Sequence, residues 1–144
     1  YVVRNAGLTG WRPEEVELIA ALVRYHRKSQ PKPTHAEWAN ASPALRRKIE
    51  GLGGILRVAD GLDRRRLSVV SALNLSVTAT TVDLVLETTQ DARSEIDGAR
   101  FKGDLFERTF GRTLAFTTVE RDGYATPFDS EPSVAEIDAA SLSG

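Results

Sequence analysis

Apolar residues recur at helical spacing through the first half of the chain and alternate with polar ones in the second half; the period changes just after Arg66. Residues 1–12 read as the end of one element and a turn at Gly7-Leu8-Thr9-Gly10. Val16, Ile19, Ala20 and Val23 follow steps of three and four and predict a helix from Pro13 to about Arg27-Lys28, with these four as its buried stripe. Pro13 suits a first helical position, where its missing N–H would have no partner anyway. Glu14, Glu15 and Glu17 complement the positive end of the helix, and Pro31 and Pro33 block its continuation. Thr34-His35-Ala36-Glu37 has capping-box spacing and predicts a short helix to about Asn40. Ser42-Pro43 starts a third helix of about twenty residues, in which Leu45, Ile49, Leu52, Leu56, Ala59 and Leu62 share a face. Gly51, Gly53 and Gly54 lie inside it, each costing about 1 kcal/mol relative to Ala. Close packing of another helix accounts for them better than a local break.

Beyond Arg66, Leu73, Leu75 and Val77 alternate with Asn74, Ser76 and Thr78, and Val82, Leu84 and Leu86 alternate with Asp83, Val85 and Glu87. A Thr-rich turn around residues 79–81 joins them as an antiparallel hairpin. Asp91 caps a further helix carrying Ile96, Ala99, Phe106 and Phe110 on one face, and Gly111 stops it. Leu114, Phe116 and Thr118 alternate as a third strand. The fold class is therefore α+β: a helical segment over 1–69, a small β-β-α-β unit over 70–118, and an acidic tail over 119–144 with weak structure signals.

At 144 residues the chain can bury a core without disulfide or metal support. No apolar run approaches the ~18 residues that span a bilayer, so no membrane association is expected. The absence of cysteine excludes disulfides, thiolate metal ligation and a cysteine nucleophile, and is compatible with the cytoplasm, the expected location. Two histidines, His26 and His35, are too few for a His-rich metal site. There is no phosphate-binding Gly-x-x-x-x-Gly-Lys loop, no nucleophile elbow and no calcium loop. Gly51-Leu52-Gly53-Gly54 has no strand before it and is no dinucleotide fingerprint. The chain contains no methionine and begins with Tyr1, which reads as a piece of something longer.

Charge changes the picture most. The net charge of -1 hides 13 Lys and Arg against 7 Asp and Glu in residues 1–69, 5 against 7 in 70–118, and 1 against 6 in 119–144. A concentrated positive half is a candidate for binding a polyanion. Its cations cluster in two stretches, Arg24–Pro33 and Leu56–Arg66. Arg24, Arg27, Lys28 and Lys32 either line a phosphate groove or simply complement a helix end. Arg57 precedes Asp60 by one turn, so the two either form a structural ion pair or serve a ligand. Arg64, Arg65 and Arg66 end the long helix, and at most two share a face; Arg offers a planar fork matched to phosphate oxygens. His26 reads as a hydrogen-bonding pocket wall rather than a catalytic acid. His35 reads as an exposed first-turn residue, and Trp11 and Trp38 as packing residues.

Four segments in order resemble the C-terminal region of the exopolyphosphatase/guanosine pentaphosphatase (Ppx/GppA) family. They are Tyr1-Val2-Val3-Arg4-Asn5 with Gly10; Arg24-Tyr25-His26-Arg27-Lys28 with Pro31-Lys32-Pro33; Leu56 to Arg64; and Lys102-Gly103-Asp104-Leu105-Phe106-Glu107 with Phe110-Gly111-Arg112. The resemblance implies an HD-like helical region followed by a small α+β domain. It implies a parent phosphohydrolase that releases phosphate from inorganic polyphosphate or pppGpp, using Mg²⁺ and a carboxylate base in an N-terminal catalytic half not found in these residues. It also implies a homodimer, no catalytic residue and no cofactor in this part. Asp60 resembles the later metal-ligating Asp of HD enzymes, but the early His and the His-Asp pair are missing, so a metal role for it would be a remnant. Asp97-Gly98 falls where the family pattern leads one to expect bulky or apolar residues, which puts the packing of that helix in question.

The resulting expectation is an accessory segment that holds the polyanion through Arg24, His26, Arg27, Lys28, Lys32, Arg57, Arg64 and Arg65. The alternative is a structural or dimerisation module with no ligand site of its own, built on the glycine surface and the hairpin edge. Nucleic acid is the weaker third reading: only 7% of residues are aromatic, too few to interleave regularly with the basic runs.

Overall fold

The computed structural model of the chain describes residues 3–5, 7, 9–27 and 29–120. A single 3₁₀ turn, Val3–Asn5, precedes α1 (Pro13–Tyr25), α2 (Ala36–Ala39) and α3 (Pro43–Leu62). The hairpin β1 (Val70–Val77) and β2 (Thr81–Thr88) follows, then α4 (Arg93–Lys102), α5 (Asp104–Phe110) and β3 (Thr113–Glu120). The sheet order is β1-β2-β3, with β1 antiparallel and β3 parallel to β2. The parallel pairing follows from the connection, since α4 and α5 carry the chain back before it re-enters the sheet. Helices first and then a mixed three-stranded sheet with interleaved helices make an α+β fold. Leu8 of the expected Gly7–Gly10 turn, and the acidic tail from residue 121 on, lie outside the described residues.

Two clusters make the core. Ala21 and Tyr25 of α1 close on Ala41 and Ile49, with Leu18, Trp38 and Leu45 around them. Val58 and Leu62 of α3 close on Val82, Leu84 and Leu86 of β2 and Ala99 of α4. The buried side of α1 thus runs through Leu18, Ala21 and Tyr25, not through the Val16–Val23 stripe; Val23 is 54% exposed. Seven of the eight positions 16–23, all but Glu17, are apolar, so periodicity alone does not single out a face and contact with α3 selects it.

Three local expectations change. The Thr34 capping box does not form: α2 begins with His35 as its cap, without a side-chain bond, and Glu37 turns to Arg24 instead. His35 is not merely exposed, because its Nδ1 lies 3.0 Å from the Tyr25 hydroxyl and the two rings stack. The helix expected after Asp91 is two helices, broken at Gly103, where a Cβ would sit 2.8 Å from Leu114 Cδ1 and 3.2 Å from the Ala99 carbonyl oxygen. Asp91 is one residue before the cap and accepts from the Arg93 N–H at 3.2 Å. Trp38 packs in the first cluster beneath the Arg46 guanidinium, whereas Trp11 is more than half exposed.

The close-packing reading of the glycines holds at Gly54, whose Cβ would lie 2.9 Å from Phe106 Cα. Gly51 and Gly53 have room for a methyl group, with their nearest neighbours at 3.6 Å. The tightest crossing is between α3 and α4 at Gly61 and Gly98. Gly98 is therefore what lets α4 pack, rather than an obstacle to it.

Candidate polyanion-binding site

The basic residues divide into those already neutralised and those left facing solvent. Arg24 Nη1 donates to Glu37 Oε1 at 2.7 Å. Glu37 also faces Arg4, which forks onto Glu17 through Nε and Nη2, both at 2.8 Å from a carboxylate oxygen. This network ties the N-terminal turn to α1 and α2, and it draws Arg24 into structure.

Arg65 is engaged in the same way. Its Nε and Nη2 reach Glu95 Oε1 and Oε2 at 2.8 and 2.7 Å, and Nη2 also donates to the Asp91 carbonyl at 2.7 Å. Glu95 is only 1% exposed. The Arg65 hydrogen bonds, outweighing burial, hold the Glu95 carboxyl below the usual carboxylate range, and Glu95 in turn raises Arg65. A bidentate guanidinium–carboxylate fork is among the strongest side-chain hydrogen-bonding arrangements.

Three elements converge on Asp60. Lys102, at the end of α4, is ion-paired with it, and His26 and Arg27 act on it from the end of α1. Partial burial works against ionisation of Asp60, but the Lys102 hydrogen bond and charge, joined by His26 and Arg27, keep its carboxyl below the usual range. His26 Nδ1 lies 2.9 Å from the Val23 carbonyl oxygen and 3.1 Å from that of Leu22. Both partners only accept, so Nδ1 carries the proton and Nε2 is the nitrogen left for an outside partner.

Arg57, 5% exposed, does not pair with Asp60 within the helix. Its Nη1 donates to the Tyr25 carbonyl at 3.3 Å, its Nη2 lies 3.6 Å from Asp104 Oδ1, and its buried Nε has no hydrogen-bond partner. Asp104 also accepts from Gln30 Nε2, and Gln30 Oε1 accepts from Arg108 Nη2 at 2.9 Å. The i,i+3 expectation fails because α5 and α4 offer carboxylate and ammonium partners across the crossing.

Arg27, Lys32 and Arg64 are exposed, and their side chains make no hydrogen bond or ion pair among the described residues. Arg64 lays its stem over Gly98, with Cδ 3.2 Å from where a Cβ would stand. Lys28 lies outside the described residues. The basic side chains gathered at the α1–α3–α4 junction are thus His26, Arg27, Arg57 and Lys102, with Arg64 one turn beyond Asp60 and Arg108 beside Gln30. Lys102 and Arg108 escape a reading of charge runs because each is an isolated cation in a net acidic region; the fold carries them to the basic half.

Among the described residues no three His, Asp or Glu side chains gather as a metal-holding set, and Asp60 faces Lys102 instead of further ligands. That donor set does not fit a divalent ion. No helix among the described residues is long and apolar enough to cross a membrane.

Comparison with known families matches residues 1–97 to the model described as Ppx/GppA phosphatase, domain III. Comparison with curated proteins gives no match.

Proposed function

The chain belongs to the Ppx/GppA phosphatase family, as its domain III, and from that premise we propose that it is an accessory part that holds a phosphate polyanion on the junction of α1, α3 and α4. The observation that carries this reading is the convergence of His26, Arg27 and Lys102, from two different helix ends, on the single carboxylate Asp60. Arg27 and Lys102 face one carboxylate there, with the His26 ring beside them. Arg64 and Lys32 extend the positive surface without internal partners among the described residues. Arg24 and Arg65 contribute charge to the field, but Arg24 keeps Nη1 on Glu37 and Arg65 keeps its fork on Glu95. Arg57 is buried between the Tyr25 carbonyl and Asp104, and Lys28 belongs to the same basic run as Arg24 and Arg27.

Polyphosphate and pppGpp are the two polyanions that the family resemblance implies, and a parent enzyme would release phosphate from one of them. Contacts made here, remote from the reacting bond, contribute to holding the substrate rather than to the chemical step. Each phosphate paired with a cation displaces a counterion, so affinity falls as salt rises, by analogy with nucleic acids. The test is calorimetric titration of the chain with long-chain polyphosphate at three salt concentrations, with orthophosphate as control. Micromolar binding that weakens steeply with salt supports the reading, and absence of binding at the lowest salt refutes it for this chain. Competition by pppGpp at equal phosphate identifies the preferred polyanion.

A further inference from the structure

The arginine run that ends α3 leads directly to an exposed hydroxyl. Ser68 is the only serine or threonine of the chain with arginine at both the third and the second position before it, Arg65 and Arg66, and the apolar Val69 follows it. Arg64 adds one more guanidinium ahead of that pair. An acidic groove reads such a run through guanidinium–carboxylate forks, for which Lys is a poor substitute. Two arginines ahead of the hydroxyl and an apolar residue after it form the charge pattern by which arginine-directed serine kinases select their acceptors.

The fold presents this segment. Residues 63–68 connect α3 to β1 outside helix and strand, and all six are exposed among the described residues. The Ser68 hydroxyl has no hydrogen-bond partner among the described residues, whereas the nearby Ser71 and Thr89 hydroxyls donate to the Glu87 and Val69 carbonyls. Arg66 and Ser68 have φ of 55° and 51°, in the left-handed region that residues with a Cβ rarely adopt. Extension of the segment in a kinase groove relieves both. Arg66 and Arg64 make no ion pair among the described residues, so they are the guanidiniums available to be read, while Arg65 has first to leave Glu95. Val69, 3% exposed and bonded through its carbonyl to the Thr89 N–H at 3.0 Å, anchors the loop one residue beyond the acceptor. It does so at the end of the hairpin where the ladder is already irregular, between Val70 and Ala72, and so is the easiest to open.

We propose that Ser68 is a phosphoacceptor site for an arginine-directed serine kinase that uses a nucleoside triphosphate. The Ser68 Oγ attacks the terminal phosphorus. The Oγ–P bond forms as the bond from that phosphorus to the bridging oxygen breaks, the nucleoside diphosphate leaves, and the hydroxyl proton passes to the catalytic aspartate of the kinase. The product carries a charge of about −1.5 to −2 and three strong acceptor oxygens. It stands two residues from Arg66 and four from Arg64, the two arginines of the run without an internal partner, and it offsets a good part of the positive excess of residues 1–69. The consequence rests on the polyanion reading: with Arg64 taken up by phosphoserine, the modified chain holds polyphosphate more weakly.

The test is incubation of the folded 144-residue chain with magnesium ATP and the catalytic subunit of cyclic-AMP-dependent protein kinase as an arginine-directed probe, the phosphate being located by fragment mass spectrometry. Stoichiometric incorporation at Ser68 is expected, with none at this segment in Ser68→Ala. Arg66→Gln, at an exposed side chain without an internal partner, is expected to keep its circular dichroism and to be modified about tenfold more slowly or worse, as loss of a charge-assisted contact requires. Incorporation only at other residues, incorporation only after unfolding in urea, or a rate unaffected by Arg66→Gln would each overturn the proposal. The modified and unmodified chains are then titrated with long-chain polyphosphate at low salt, where a several-fold loss of affinity on modification is expected. Equal affinity of the two forms would overturn the consequence. An unmodified chain that does not bind refutes the polyanion reading alone, because incorporation at Ser68 is measured without polyphosphate.

Discussion

Gly61 and Gly98 touch backbone to backbone: a Cβ on Gly98 would lie 2.8 Å from the Gly61 carbonyl oxygen, and one on Gly61 would lie 2.5 Å from Ala99 Cα. These two residues let α3 and α4 cross closely enough for Ala99 to join Val58, Leu62 and the β2 residues in one core. Distances that short do not occur for real side chains, and the obstructing atoms are backbone, which cannot rotate away.

Alanine replacement of the glycines in α3 is therefore expected to separate by position. Gly61→Ala should destabilise by about 1–3 kcal/mol, the ordinary cost of overpacking, because the clash exceeds the helix-propensity gain of roughly 1 kcal/mol. Gly54→Ala should destabilise for the same reason, through Phe106. Gly51→Ala meets only the Phe110 ring at 3.6 Å, an ordinary contact, and should be stabilising by up to about 1 kcal/mol. Urea denaturation of the three variants checks the order.

The Arg65–Glu95 fork gives the fold an acid sensitivity. Arg65→Ala leaves a nearly inaccessible carboxylate without its cation and should lower the melting temperature at neutral pH. The folded-state carboxyls of Glu95 and Asp60 lie below their ordinary values, so the unfolded chain binds protons first. Their stabilisation is thus fully present above the ordinary carboxylate range, at about pH 5 and higher, and is lost as pH falls through the depressed folded values. Arg65→Ala should flatten that part of the profile in thermal melts between pH 3 and 7.

Asp60 is ion-paired with Lys102, so in the proposed function it competes with phosphate for that ammonium. Asp60→Asn removes the internal anion and should raise polyphosphate affinity several-fold at low salt. Arg27→Glu should lower it and reduce the salt dependence, since each lost phosphate contact removes about 0.7–0.9 from the logarithmic slope. Arg24→Gln should have the smaller effect on affinity, since the Arg24 Nη1 is already held by Glu37. Titrations at two salt concentrations distinguish these outcomes.

The start of α3 is a local device with a local cost. Ser42 Oγ accepts from the Leu45 N–H at 3.2 Å, one of the free donors at the helix start. Ser42→Ala should destabilise by about 1 kcal/mol and Ser42→Asp should not, as thermal denaturation would show.

Local signals proved legible where one short stretch contained the whole cause. Ser42-Pro43 starts α3, Gly111 ends α5 in a left-handed conformation, and the alternation of Leu73–Val77 and Val82–Leu86 forms the hairpin. Legibility failed where several local answers were nearly equal. The apolar residues of α1 lie on most of its sides, so the packing partner chose the face. Glu37 had both a cap and two arginines within reach, and the arginines took it.

By itself the sequence determined the element order, the α+β class, the segregation of positive charge to the first half and the motifs that place the chain in its family, because each depends on spacing along the chain. Only the tertiary structure decided which cations are neutralised and which are left. It brought Lys102 to Asp60 across 42 residues and Arg65 to Glu95 across 30, and among the described residues it covered Val82, Leu84 and Leu86 of β2 but not Leu73, Leu75 and Val77 of β1. Ion pairing and coverage depend on distances through space, and the close glycine crossing of α3 and α4 sets those distances.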